Sequence, residues 1–111
     1  MNEQISVDQV IEKLPSRFCP EQAKDLSCIY QFIIDDETGF YIAIRDQQCQ
    51  VVRQRHDDPD ITLHVGSDAF IRVVTGEQDG MSAFLKGQLR AEGNIMLATR
   101  LGKLFSRQRQ R

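Results

Sequence analysis

Few side chains in this chain are suited to chemistry. His56 and His64 are its only histidines, and histidine is the side chain whose ordinary titration lies near neutrality. His56 heads the run His56-Asp57-Asp58-Pro59-Asp60, where an imidazole and three carboxylates could be imagined around a cation. Pro59 interrupts that run and no further ligand stands close by, so a solvated turn accounts for it better. The three cysteines, Cys19, Cys28 and Cys49, are odd in number and irregularly spaced, which suits neither a disulfide framework nor a Cys-x-x-Cys metal site. They read as structural thiols in a reducing compartment, because a buried free cysteine packs as a small hydrophobe. No serine or cysteine has a base beside it in sequence. Neither Gly66-Ser67-Asp68 nor the pair Gly76 and Gly80 matches a phosphate-binding loop or a G-x-G-x-x-G fingerprint. The expectation is a protein that is not an enzyme, with no catalytic residue, metal or other cofactor.

Composition bounds the rest. A chain of 111 residues suits one domain, residues 1–111, with one core. With 41% hydrophobic and 27% charged residues it groups with ordinary globular proteins and not with disordered ones. A formal charge of −2 gives no reason to expect a nucleic-acid partner. No apolar run approaches the roughly 20 residues that span a bilayer, and Met1 to Ser6 lack the basic-then-apolar order of a secretory signal. A cytoplasmic location is expected.

The apolar periodicity is more informative. Ser6 to Leu14 places Val7, Val10, Ile11 and Leu14 on one helical face, with Ser6 as N-cap and Pro15 expected to stop the helix. Pro20 and Glu21 suit the start of a short second helical turn. Residues 27–35 put Tyr30, Phe32 and Ile34 on one strand face and Ile29, Gln31 and Ile33 on the other. Residues 36–39 supply turn chemistry, Gly39 being suited to a positive φ. Phe40, Ile42 and Ile44 alternate in the next strand, and residues 49–53 form a third, giving an antiparallel meander with one buried and one largely wet face. After the charged loop 53–60, Ile61, Leu63 and Val65 share a face, with His64 on the other side. A helix capped by Ser67 follows, with Ala69, Phe70, Val73 and Val74 as its stripe and Gly76 as its end. Residues 80–85 read as a short helix, and Gly87 and Gly93 bracket a strand over residues 88–92. Asn94 is a good N-cap for a last helix. Its stripe is Leu97, Leu101, Leu104 and Phe105, with Met96 at the edge and Thr99, Arg100 and Lys103 opposite. Such stripes must cover one face of the sheet, which makes a two-layer α+β domain. Periodicity cannot distinguish a filled core from one holding a lipid-sized cavity.

Two segments carry a family likeness. Asp58-Pro-Asp-Ile-Thr-Leu-His-Val-Gly-Ser-Asp-Ala-Phe70, and Thr75-Gly-Glu through Ala83-Phe-Leu-Lys-Gly-Gln-Leu-Arg-Ala-Glu-Gly-Asn-Ile-Met-Leu-Ala98, resemble the strand-to-helix passage and the last strand and helix of the sterol carrier protein 2 family. Residues 31–34 and 40–46 are similar to its first hairpin, so the resemblance covers roughly residues 5 to 106. It implies a sterol-carrier-like, five-stranded, mostly antiparallel sheet with helices packed on one face. It also implies an apolar tunnel between them for a sterol, fatty acid, fatty acyl-CoA or other lipid. Phe70, Val73, Val74, Phe84, Leu85, Leu97, Leu101 and Phe105 would then form one wall of that tunnel. Phe32, Ile42, Ile44 and Leu63 would form the other, and motion of the last helix would open it. Two departures stand out: Gln47 occupies a usual hairpin glycine, and Ala91 is smaller than the usual branched residue of the last strand. The end lacks a peroxisomal Ser-Lys-Leu address, which fits a small stand-alone bacterial-type domain. Arg107, Arg109 and Arg111 could touch anionic headgroups. The other reading from the resemblance is an accessory or scaffold protein that holds quinone-type intermediates or docks to a partner enzyme.

Overall fold

The computed structural model describes residues 6–75 and 77–105. Helix α1 (Val7–Arg17) and a 3-10 turn (Pro20–Ala23) precede the meander β1 (Cys28–Ile34), β2 (Thr38–Arg45) and β3 (Gln48–Val52). Then come β4 (Ile61–Val65), α2 (Ser67–Thr75), α3 (Gly80–Leu85), β5 (Leu89–Gly93) and α4 (Met96–Leu104). The sheet order is β3-β2-β1-β4-β5. Only β1 and β4 run parallel; the other three pairings are antiparallel. This is the mostly antiparallel α+β architecture that the alternation and the helical stripes require.

Register aligns the inner-face residues in rows across the strands. Phe32 lies opposite Phe40 and beside Leu63, while Tyr30 is flanked by Ile42 and Ile61. A further row joins Ile34, Val65 and Leu89. Phe32 stacks on Phe40 with centroids 5.0 Å apart, and Phe70 of α2 meets both rings edge-on. Burying such rings dominates the stabilisation of a core this small. Helix α1 packs Val10, Ile11 and Leu14 against this layer. A capping box of Ser6 and Gln9 starts it.

Several local expectations are corrected. Pro15 lies inside α1 instead of ending it. Its missing N–H and ring disturb only the last turn, where Ser16 bonds the Lys13 carbonyl and Phe18 N–H bonds the Pro15 carbonyl. Gly39 sits within β2, and the positive φ values fall on Asp35 and Asp36, which tolerate them through short polar side chains. The two-residue turn Asp46-Gln47 has φ of 55° and 59°, the hairpin geometry whose twist matches the strands. Ser67 is the first residue of α2 and not its cap; its amide donates to Asp35 Oδ1 at 3.0 Å. Strand β5 starts one residue later than expected, at Leu89, and takes in Gly93. Helix α4 begins at Met96, and Asn94 Oδ1 accepts the Met96 amide at 3.2 Å. Gly76 lies outside the described residues.

The outer sheet face is not largely wet. The segment 53–60 crosses it between β3 and β4, and Gln31 beneath is only 7% exposed. Gln31 Oε1 accepts His56 N–H at 2.7 Å, its amide donates to Thr62, and the His56 ring meets Tyr41 edge-on. The crossing ends at Asp60, whose carboxylate takes the Ile29 amide and whose carbonyl takes the Asn94 amide. Gly93 passes so close that a Cβ there would stand 2.6 Å from the Asp60 carbonyl oxygen, at a φ of 106°. Only glycine fits.

Candidate functional site

A cavity of about 410 Å³ lies between the sheet and helices α2, α3 and α4, within the ~300–1,000 Å³ of small-molecule sites. Phe32, Ile42, Leu63, Val65 and Leu89 form its floor. Phe70, Val73 and Val74 of α2, with Leu101 and Phe105 at the end of the chain's last helix, enclose it from above. Room is left where α4 presents small residues: Ala98 and Gly102 both line the space, and a Cβ on Gly102 would meet nothing within 4 Å. Met81, Phe84 and Ile95 line it and are exposed, so the opening lies between α3 and the start of α4.

Each polar side chain of the lining holds at least one hydrogen bond within the protein. Asp79 caps α3 by accepting the Ser82 amide. Gln78 accepts from Arg72 Nε at 3.1 Å and donates to Gln88 at 2.7 Å. Thr99 donates to the Met96 carbonyl at 2.7 Å. Such an interior selects by shape and apolarity, because a polar guest atom placed deep inside would go unpaired.

Nine of the twelve residues expected at a ligand wall are brought together here: Phe32, Ile42, Leu63, Phe70, Val73, Val74, Phe84, Leu101 and Phe105. Three are not. Ile44 belongs to the row of Cys28 and Cys49, toward the other end of the sheet, and is fully packed. Leu97 is buried in the filled part of the core. Leu85, at the end of α3, is 75% exposed. Sequence reasoning missed Leu14, Val65, Leu89, Ala98 and Gly102. Val65 and Leu89 share the inner sheet face with residues that it chose, while Leu14 stands on α1, from which it chose none; the last two are small, and a hydrophobic stripe points to space-filling residues and away from the ones that leave space. Ala91 does not line the cavity, so its small size does not widen it.

Helix α4 is fastened at both ends. Tyr30 Oη donates to the Leu97 carbonyl at 2.6 Å, and Cys19 N–H donates to the Leu104 carbonyl at 2.7 Å. Burial raises the Tyr30 hydroxyl pKa well above its usual value, with the Cys28 thiol adding to the effect, so the donor stays protonated. Burial likewise pushes the Cys28 thiol up to about 11 and raises Cys49, which keeps both thiols neutral and unreactive. None of the three cysteines is in a disulfide.

The histidines lie away from the cavity. His64 is on the outer face of β4, with its Nε2 3.4 Å from a Glu92 carboxylate oxygen. His56 Nδ1 accepts the Asp58 amide at 3.0 Å within the crossing segment, so both serve the outer cover. Asp60 is committed to Ile29, and no cluster able to hold a metal occurs among the described residues. No helix among them is long and apolar enough to cross a membrane.

Comparison with known proteins agrees with this geometry. The model of the SCP-2 sterol transfer family matches residues 7–106. Peroxisomal multifunctional enzyme A of Dictyostelium discoideum is 44% identical over 47 residues, 42% of this chain and 11% of that protein. Hydroxysteroid dehydrogenase-like protein 2 of Mus musculus is 24% identical over 109 residues, 96% of this chain and 22% of that one. The chain thus spans about a tenth to about a fifth of the length of these relatives. Among solved structures, palmitated SCP2L2 of Aedes aegypti superposes with a TM-score of 0.75 at 17% identity, covering 96% of this chain and 99% of that one. The UbiJ-SCP2 ubiquinone synthesis protein gives 0.72 at 14% identity, over 90% and 92%. The sec-alkylsulfatase Pisa1 of Pseudomonas sp. gives 0.76 at 15%, covering 94% of this chain and 16% of that one.

Proposed function

This chain belongs to the SCP-2 sterol transfer family, a lipid-binding family, and on that premise we propose that it carries a hydrophobic ligand without transforming it. The ligand is a sterol, a fatty acid, a fatty acyl-CoA or another lipid, and the cytoplasm, where the three thiols stay reduced, is its place of work. The observation that carries this reading is the 410 Å³ cavity with an apolar floor, whose polar side chains Gln78, Asp79 and Thr99 each already hold a hydrogen bond within the protein. The aliphatic part enters, at ~0.8 kcal/mol per methylene withdrawn from water, and the polar head stays at the mouth. Phe32, Leu63, Phe70 and Leu101 hold the buried part. Because α4 is fastened at both ends, the six-residue α3 is the segment that yields on entry, in place of the last helix.

Native mass spectrometry of protein purified without detergent tests this directly. A mass increment equal to one lipid is expected, together with displacement of a fluorescent fatty acid at micromolar concentration. A bare polypeptide mass with no displacement defeats the reading. A second reading is an accessory protein that presents a quinone-type intermediate to a partner enzyme, and it is favoured by the likeness to a ubiquinone synthesis protein. It requires a stoichiometric protein companion on affinity purification and a prenylated quinone as the extracted ligand.

A further inference from the structure

Strand β5 closes one side of the sheet with β4 as its single neighbour. Among the described residues, no backbone hydrogen bond from outside the sheet reaches residues 89–93. Arg90, Glu92 and Gly93 are exposed, as are the residues from Phe84 to Gln88 before the strand and from Asn94 to Met96 after it. Leu85 and Met96 bracket β5, do not line the cavity, and are 75% and 72% exposed. Ligand entry does not account for them. An uncovered strand edge flanked by exposed apolar side chains is a place where another chain adds.

The side chains of β5 identify the chain that fits. Leu89, Ala91 and Gly93 pair with Val65, Leu63 and Ile61 on the inner face, while Arg90 and Glu92 stand on the outer face opposite His64 and Thr62. Arg90 is in no ion pair among the described residues, and Glu92 has only its 3.4 Å approach to His64 Nε2. Arg107, Arg109 and Arg111 lie outside the described residues, so the charges that matter here are those of β5 itself. Charges on an edge strand ordinarily repel a neighbour, but these two alternate in sign. A second copy laid antiparallel along the edge, with a two-fold axis at Ala91, sets each Arg90 opposite the partner's Glu92. A slip of one residue faces inner side chains with outer ones. A slip of two sets Arg90 against Arg90 or Glu92 against Glu92. Of the registers that overlap most of the strand, the two-fold one alone satisfies both faces and both charges. The same axis brings the Leu85 end of each β5 beside the Met96 end of the other, where exposed apolar residues of the two copies cover each other.

We propose that two copies of this chain associate through β5, joining their five-stranded sheets edge to edge about a two-fold axis at Ala91. Arg90 and Glu92 fix the register, and Leu85 and Met96 supply apolar contact at its two ends. An edge of five residues suits a weak, concentration-dependent dimer. Such pairing does not depend on whether the cavity holds a lipid.

Sedimentation equilibrium of the full chain, from micromolar to millimolar, should show monomer and dimer in exchange, and hydrogen exchange in β5 should slow as the dimer forms. Arg90→Glu and Glu92→Arg, each alone, set like charges opposite each other at both pairs and should weaken the dimer at least about tenfold. An equimolar mixture of the two variants sets acid against base again and should dimerise like the wild type. So should the double variant Arg90→Glu/Glu92→Arg. Both positions are exposed, so the melting temperature of the dilute monomer should be unchanged in every variant. A wild type that stays monomeric at millimolar concentration overturns the proposal. So does a dimer that both single variants retain, a mixture and double variant that both fail to restore it, or a dimer whose β5 amides exchange as fast as the monomer's.

Discussion

The two faces of the sheet carry covers of different kinds. On the outer face, residues 53–60 run across as a single irregular strip that bonds the central strand at two places: the His56 N–H donates to Gln31, and Asp60 exchanges bonds with Ile29 through its carboxylate and its amide. On the inner face, rigid helices of six to eleven residues rest on a twisted surface. A strip of chain can follow a twisted sheet residue by residue. A helix follows it only where its side chains are long enough, and Ala98 and Gly102 are not. The same sheet is therefore crossed by polar contacts on one side and left with an apolar space on the other, and both histidines stand on the polar side.

The strongest test of this contrast is Phe40→Ala. Phe40 is fully buried behind Phe32 and Phe70 without lining the cavity, and its loss should cost about 3–5 kcal/mol in urea denaturation. Because the walls Phe32 and Phe70 lose their backing, fatty acid binding should weaken as well.

Next is Cys28, dry on the inner face, whose thiol is pushed from 9.0 to about 11. The unfolded chain gives up this proton first, so the contribution is complete below pH 9 and is lost as pH rises through about 11. The stability gap between wild type and Cys28→Ala should narrow over that window by up to about 2–3 kcal/mol. A gap independent of pH would show that the thiol is wet.

On the outer face, Gln31→Ala should cost about 1–3 kcal/mol by leaving the His56 amide unpaired. Fatty acid affinity should stay within about twofold of wild type, because nothing on that face touches the cavity. A large affinity loss would join the two covers energetically and break the contrast.

The smallest effect in stability is expected at Gly102. Gly102→Ala should add about 1 kcal/mol through helix propensity, with open space around the new methyl. Gly102→Phe should instead fill the cavity and weaken fatty acid binding by at least about tenfold, without comparable unfolding.

Much of this was readable from residue types alone. Period-two alternation in Tyr30/Phe32/Ile34 and Phe40/Ile42/Ile44 placed the inner face, and the stripes of α2 and α4 placed its cover. The likeness to sterol carrier protein 2 named the family before the coordinates did. What could not be read were facts about which residues meet across the chain. Gln31 alternates as a wet residue should, yet it is buried because a segment 25 residues later lies over it. Leu85 continues an apolar run, yet the short α3 turns it outward. Leu97 sits in the stripe but over the filled end of the core. The cavity is set by the small residues between large ones, and apolar periodicity carries no mark for space left empty.

The pairing of β1 with β4 also bears on how the protein is made. As the chain leaves the ribosome, the three-stranded meander is complete at Val52, while the central strand lacks its second neighbour until Val65 has emerged. During that interval β1 presents an open edge carrying Tyr30, Phe32 and Ile34. An apolar edge of this kind recruits any other extended chain. Nascent chains halted between these two points should aggregate more readily than shorter or longer ones, and chaperone dependence in biogenesis should peak there.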